Sequence, residues 1–290
     1  MKKITTFLLA LAMVFSLAAC GSTANTDSGE DTRGNFVFGG HVGNVDPASG
    51  AYAWVGMRSG VMESLFKFDD SMNVQKNLVE DYSVSDDGLT WTIVLRDGVL
   101  FQSGNAMDAE AVKASLERTC SMQSRADKEL NIASIAADGN TLKITTRKPN
   151  PVLPNCLCDP YSGIVDVKSL DEDGNATVGT GPFKLVEYVE NDRLELDAFD
   201  DYWAGKPASK HVTIRANSDL DASTLALQKG ELDACYVTSL TEQAGLRSLR
   251  RQLPVYTRSI LIWSMSLRVT PISARRSAWR LIATTMPASL

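Results

Sequence analysis

At 290 residues, 44% hydrophobic and 22% charged, the chain has the profile of a folded globular protein rather than a disordered or fibrous one. A formal charge of −6 argues against a nucleic-acid partner. That total conceals a break. Residues 1–240 carry 34 acidic and 21 basic side chains, whereas residues 241–290 carry one acid, Glu242, and eight bases, all arginine.

The first element in the chain is an export signal. Lys2 and Lys3 precede an almost wholly apolar run from Ile4 to Ala19, too short to span a membrane comfortably but suited to a secretory signal. Leu17-Ala18-Ala19-Cys20-Gly21 resembles the lipobox of bacterial lipoproteins, which implies cleavage before Cys20 and a diacylglycerol on its thiol. Residues 1–19 are therefore read as signal peptide and 20–35 as a lipidated, flexible tether of Ser, Thr, Gly, Asn and Asp. The expected location is the outer face of a bacterial cell membrane, or the periplasm, with the membrane itself a partner through the lipid. Cys120, Cys156, Cys158 and Cys235 read as small packed residues, with a long-range disulfide left open.

Phe36-Val37-Phe38 reads as a first strand entering a glycine loop, and Tyr52 to Ser64 as a helix with apolar residues at 54, 55, 57, 61 and 62. Leu89 to Arg96 alternates, with Leu89, Trp91, Ile93 and Leu95 on one face and Trp91 in the core. Asp86-Asp87-Gly88 is a hairpin turn, making Tyr82 to Val84 the partner strand. Asp108 caps a helix whose Val112, Leu116 and Thr119 share a side. A second hairpin pairs Ile132 to Ala137 with Thr141 to Thr146, and Pro149, Pro151 and Pro154 then lead into a loop at Asp159-Pro160-Tyr161. Gly179 and Gly181 flank a chain reversal at Pro182. Phe183 to Tyr188, Arg193 to Phe199, Val212 to Arg215 and Leu232 to Val237 read as strands, with a helix from Asp219 to Lys229 capped by Gly230. The fold class is mixed α/β, and beyond Leu240 no comparable plan can be read.

Two blocks of this chain carry a family resemblance. The first runs from Leu78-Val79-Glu80-Asp81-Tyr82 through Asp86-Asp87-Gly88-Leu89-Thr90-Trp91-Thr92 and Leu95-Arg96-Asp97-Gly98-Val99 to Asp108-Ala109-Glu110-Ala111-Val112. The second runs from Gly179-Thr180-Gly181-Pro182-Phe183 through Asp201-Tyr202-Trp203-Ala204-Gly205-Lys206-Pro207 to Leu227-Gln228-Lys229-Gly230-Glu231-Leu232-Asp233. In this order they resemble the oligopeptide-, dipeptide- and nickel-binding proteins of ABC importers, solute-binding family 5, over residues 36–240. The resemblance implies a fold like the type II periplasmic binding proteins, in which two lobes close on a solute and present it to a membrane permease. It implies that this chain holds the first, compound lobe and lacks the second. Read from the residues alone, these motifs are scaffold: Tyr202-Trp203 plugs a sheet corner before Gly205.

Function is then binding of a peptide or a nickel chelate, with no catalysis and no resident cofactor or metal. Tyr52 and Trp54, at the start of the first helix, are candidate solute contacts. Arg125 and Tyr161 join them because nickel-type relatives place cleft residues there. His41, in the loop after the first strand, is a remote candidate for touching a metal in the solute, and His211 is expected at the surface. A hydrolase fits least, since no Gly-x-Ser-x-Gly or His-Glu-x-x-His is present and only two histidines occur. The alternative is a lipid-anchored signalling or adhesion protein whose arginine-rich tail binds a partner. Against that, the charge break supports reading 241–290 as an out-of-frame tail on an incomplete product.

Overall fold

A computed structural model describes residues 33–50, 53–217, 219–237, 246–249 and 280–284. Cys20, the signal and most of the tether lie outside the described residues, as do Tyr52 and most of the tail.

The order of elements is β1 (Asn35–Gly40), α1 (Ala53–Arg58), β2 (Phe66–Phe68), β3 (Val74–Lys76), β4 (Val79–Val84) and β5 (Thr90–Leu95). Next come α2 (Ala109–Met122), α3 (Ser124–Leu130), β6 (Ile132–Asp138), β7 (Thr141–Thr146), α4 (Leu153–Cys156) and a 3-10 turn at Pro160–Ser162. The chain continues through β8 (Phe183–Val189), β9 (Arg193–Ala198), β10 (His211–Ala216), α5 (Leu220–Lys229), β11 (Ala234–Val237), β12 (Leu246–Leu249) and β13 (Arg280–Thr284).

Two larger sheets divide the work, beside the two-stranded β2-β3 hairpin. The smaller of the two is antiparallel, two hairpins joined through β5 and β7 in the order β4-β5-β7-β6. Period-two alternation on β5 buries Trp91, Ile93 and Leu95, and these meet Leu142 and Ile144 of β7 under Val112 and Leu116 of α2. Asp108 caps α2 by accepting from the Ala111 amide at 2.8 Å, as its sequence position predicts. The hairpin glycine, Gly88, sits at φ 70°.

The larger sheet has seven strands in the order β12-β13-β11-β1-β10-β9-β8. β1 lies inside it, parallel to both β10 and β11, while β8 and β9 add antiparallel strands at one side. One face buries Phe38, Leu194, Leu196, Val212 and Ile214 against Val45, Val55 and Met62. On the other face α5 packs Leu227 over Leu232 and Cys235. Its caps are those expected: Asp219 accepts from the amides of Asp221 and Ala222, and Gly230 ends it at φ 83°. Beyond Leu240, where no element is predicted, β12 and β13 continue the sheet from β11 in parallel register. Short Leu- and Ile-containing segments suffice there because β11 offers an unpaired backbone edge.

One helix is shorter than its apolar spacing predicts. The expected Tyr52–Ser64 helix stops at Arg58. Gly60 takes φ 77°, and the amides of Val61 and Met62 both turn back to the Gly56 carbonyl at 3.0 Å. From there the chain runs extended, between the Ile164 bridge on one side and Gly181 and Phe183 on the other. Val61, Met62 and Leu65 are apolar because they are buried on every side, so their spacing mimics a helical stripe.

Gly179 and Gly181 also work differently from the expectation of a tight reversal. Neither has a left-handed φ. A Cβ on Gly179 would stand 2.3 Å from the Val61 carbonyl oxygen, and one on Gly181 would stand 2.2 Å from that of Gly60. Only glycine lets these two backbones touch. Buried Gln102 stitches the seam: its Nε2 donates to the carbonyls of Val61, Gly181 and Phe183, and its Oε1 accepts from the Gly179 amide.

Candidate functional site

The loop after β1 and the helix it feeds carry the first group of candidates. Asp46 anchors that loop. It is almost fully buried, accepts both Nη atoms of Arg118 at 2.9 and 2.6 Å, and accepts the amides of Ala48 and Ala176. The loop is thereby bolted to α2. His41, just beyond β1, is exposed; desolvation and then the Arg58 cation hold it below the ordinary imidazole range. Trp54 and Arg58 stand one turn apart on α1, the guanidinium 5.1 Å from the indole centroid.

Trp54 also lines a cavity of about 460 Å³. Met57 and Met62 continue its wall, Lys67, Phe68 and Asp69 enter from the β2–β3 hairpin, and Cys158 and Pro160 close the far side. Its size falls within the range of small-molecule sites.

Glu63 also borders this cavity and is buried. Its Oε1 accepts from Tyr202 Oη at 3.0 Å and Asn77 Nδ2 at 3.4 Å. Its Oε2 accepts from Trp203 Nε1 at 2.9 Å and Thr180 Oγ1 at 3.0 Å. Burial pushes the carboxyl upward, and these four bonds oppose the shift. The Tyr-Trp pair therefore does plug a corner, and what it plugs against is a carboxylate. Arg96 covers the outer side of Trp203 at 4.6 Å.

Arg125 and Tyr161 come together in a second cluster. Arg125 pairs with Glu129 and Asp159, both at 2.9 Å, and lies 5.2 Å over the Tyr161 ring. The Tyr161 hydroxyl donates to Glu129 at 2.8 Å, and its residue is 2% exposed. Tyr161 thus acts from inside, while Arg125 is half exposed with its charge already answered by two carboxylates. The turn 158–161 joins this cluster to the cavity, since Cys158 and Pro160 line the one and Asp159 and Tyr161 build the other.

His211 departs from the expected surface histidine. It opens β10, where pairing with β9 sets it opposite Asp197 and beside Glu195. Both ring nitrogens meet carboxylates, at 2.7 and 2.8 Å, which raises its pKa against a desolvation that lowers it. The four described cysteines are free of disulfides; Cys158 and Cys235 are buried, and burial pushes the Cys158 thiol up to about 12. Among the described residues no cluster of three or more His, Cys, Asp or Glu could hold a metal ion.

Sequence reading missed Glu63, Gln102 and Asp46. A lone carboxylate in the apolar run Val61-Met62-Glu63-Ser64-Leu65-Phe66 was the available signal, because such a charge survives burial only when its partners are built in.

A mixed sheet with parallel centre and a four-stranded antiparallel subdomain, with a cavity beside α1 and the β2–β3 hairpin, define a lobe of the type II periplasmic-binding-protein class. Solved structures support this. The nickel ABC transporter protein of Bacillus halodurans is 39% identical with a TM-score of 0.63, over 69% of this chain and 42% of that one. NikA of Staphylococcus aureus, solved with Ni(L-His)2, is 33% identical at the same TM-score and the same coverage. Residues 73–271 match the bacterial extracellular solute-binding proteins, family 5 (middle), and the chain belongs to that family. Among curated relatives, the nickel-binding protein NikA of Staphylococcus aureus is 36% identical over 165 residues, 57% of this chain and 33% of NikA. The glutathione-binding protein GsiB of Salmonella paratyphi A is 33% identical over 274 residues, 91% of this chain and 52% of GsiB. The chain spans about half or less of the length of these relatives. The family is one of binding proteins, not enzymes.

Proposed function

We propose that this chain is the solute-binding component of an ABC importer, held to the outer face of the membrane by a lipid on Cys20, and that it delivers a nickel chelate or a peptide to a permease. The observation that carries the reading is the family match over residues 73–271, which takes in Asn77, Thr180, Tyr202 and Trp203 of the Glu63 cluster and the Cys158 and Pro160 side of the cavity, while Trp54 and Glu63 precede it. The relatives' names favour both solute classes, nickel through NikA and a small peptide through GsiB. Trp54 and Tyr52 contribute apolar contact in this reading, and Arg125 a cation once its carboxylate pairs rearrange. Closure over the solute needs the second lobe that this chain is expected to lack, so it belongs to the proposal only as the work of a complete protein of this family.

Calorimetric titration of the mature chain with Ni(L-His)2 and, separately, with glutathione tests the solute. Binding of either supports the reading, and heat from neither refutes it for this chain. Mass spectrometry of the membrane-extracted protein tests the anchor: a diacylglycerol adduct on Cys20, absent in Cys20→Ala, is expected. The out-of-frame reading of 241–290 rests on the charge break. A family match continuing to residue 271 weighs against a slip as early as Leu240. Resequencing codons 230–271 decides it, since a second lobe in another frame is the expected result.

A further inference from the structure

Arginine in this fold is seldom without an acid. Arg33, Arg96, Arg118, Arg125, Arg147 and Arg193 each stand within salt-bridge distance of a carboxylate. Arg215 is exposed on β10, where water serves it. Arg58 has neither answer. It is partly buried, its Nε is enclosed without a hydrogen-bond partner, and its guanidinium lies over the Trp54 ring at 5.1 Å. No carboxylate pairs with it among the described residues, and its charge is felt at His41, whose pKa it lowers after desolvation. A cation partly out of water attracts an anion more strongly than one on the open surface. Its place in the fold suits a ligand. His41 leaves the carboxyl end of β1, which has parallel strands on both sides, and ligands of parallel sheets gather at such ends. Trp54 both carries the guanidinium and lines the cavity, whose apolar wall continues through Met57, Met62 and Phe68. Lys67, the cavity's own cation, has Asp69 and Asp70 close by on the same hairpin.

From this juxtaposition we infer that Arg58 anchors a carboxylate of the solute, whose apolar body lies along Trp54 into the cavity. The inference rests on the solute-binding reading and narrows its solutes to those that bear a carboxylate. With Nε enclosed, the carboxylate meets the Nη end, and the Trp54 ring holds the guanidinium plane ready for two parallel bonds. Arg125 has to shed Glu129 and Asp159 before it can serve an anion, whereas Arg58 has no carboxylate to shed.

Three probes sharing one ring and differing in charge test it on the full chain by calorimetry: 3-phenylpropionate, 3-phenylpropionamide and 3-phenylpropylamine. The propionate is expected to bind about tenfold more tightly than the amide, the factor for one charge-assisted pair, with the amine weakest. Arg58→Met, which keeps an unbranched stem beside Trp54, is expected to erase that preference. Arg58→Lys keeps the charge without the fork and is expected to retain about threefold. Arg215→Gln, which removes the other arginine without an ion pair, should leave the ratio as it is. Should Arg58→Met lose the native circular dichroism, Arg58→Lys decides, since an undiminished tenfold ratio there overturns the inference. Equal affinity for the three probes, preference for the amine, a preference that survives Arg58→Met, or no binding of any also overturns it. If Ni(L-His)2 or glutathione binds and Arg58→Met weakens neither, the anchor fails and the solute-binding reading survives. If the propionate is selected through Arg58 and neither of those binds, the anchor stands and the nickel-or-peptide reading fails.

Discussion

Replacing Glu63 by alanine removes the common acceptor of four donors drawn from three distant stretches of chain. Trp203 Nε1 and Tyr202 Oη lose the bonds at 2.9 and 3.0 Å and stay buried. Thr180 loses one at 3.0 Å, and Asn77 loses only a long bond at 3.4 Å while keeping the Ser64 carbonyl. Each orphaned buried donor costs about 1–3 kcal/mol, and removing the desolvated carboxylate returns part of that, leaving a net loss of about 3–5 kcal/mol. Against a total stability of about 5–15 kcal/mol this is close to unfolding. Glu63→Gln is the discriminating partner. With its carbonyl at the Oε2 position it keeps Trp203 and Thr180, while its amide meets Asn77 Nδ2, which only donates, and the Tyr202 hydroxyl, which can turn to accept. The expected cost is about 1–2 kcal/mol. Urea unfolding followed by tryptophan fluorescence measures both. A loss below about 1 kcal/mol for alanine, or equal losses for the two variants, would refute the claim that hydrogen bonding to one carboxylate holds these segments together.

Three further outcomes follow from the packing. Gly181→Ala drives a methyl to 2.2 Å from the Gly60 oxygen; the seam must open, at a cost of about 3 kcal/mol or more, seen as a drop in melting temperature that Gly98→Ala, with open space around it, does not share beyond its backbone strain. Asp46→Ala strands the Arg118 guanidinium and frees the loop leading to α1, costing about 2–4 kcal/mol in urea unfolding. His211 has a folded pKa raised by Asp197 and Glu195, so its contribution is full below the unfolded value near 6.5 and fades as pH rises through the higher folded one. The unfolding free energy from urea titration should fall between about pH 6 and 8 by less than about 1 kcal/mol, given a partly exposed ring, and His211→Gln should flatten that slope.

Most of the fold was legible because its rules are local. The β5 alternation, the Asp108 and Asp219 caps and the Gly88 and Gly230 positions each express a short-range constraint that the structure repeats. The site was less so. Glu63 needs Asn77, Thr180 and Tyr202-Trp203, and no pattern within a dozen residues announces partners so far away. Gly179 and Gly181 looked like turn glycines because spacing cannot tell a positive φ from a backbone pressed against Val61 and Gly60. Arg125 and Tyr161, expected in the cleft from family likeness, stand side by side, but no sequence feature showed that Glu129 and Asp159 already occupy the guanidinium.

The placing of β1 has a consequence in time. Asn35–Gly40 is made early and pairs on one side with His211–Ala216 and on the other with Ala234–Val237. During synthesis from the N-terminus this strand must wait, unpaired and largely apolar, until its first partner strand begins at His211. The four-stranded sheet closes from two hairpins, β4-β5 and β6-β7, and their joining at β5-β7 spans far fewer residues. The small sheet is therefore expected to form first and the large one to assemble around a strand that has waited longest. The interval in which β1 stands open is when a chaperone has most to protect.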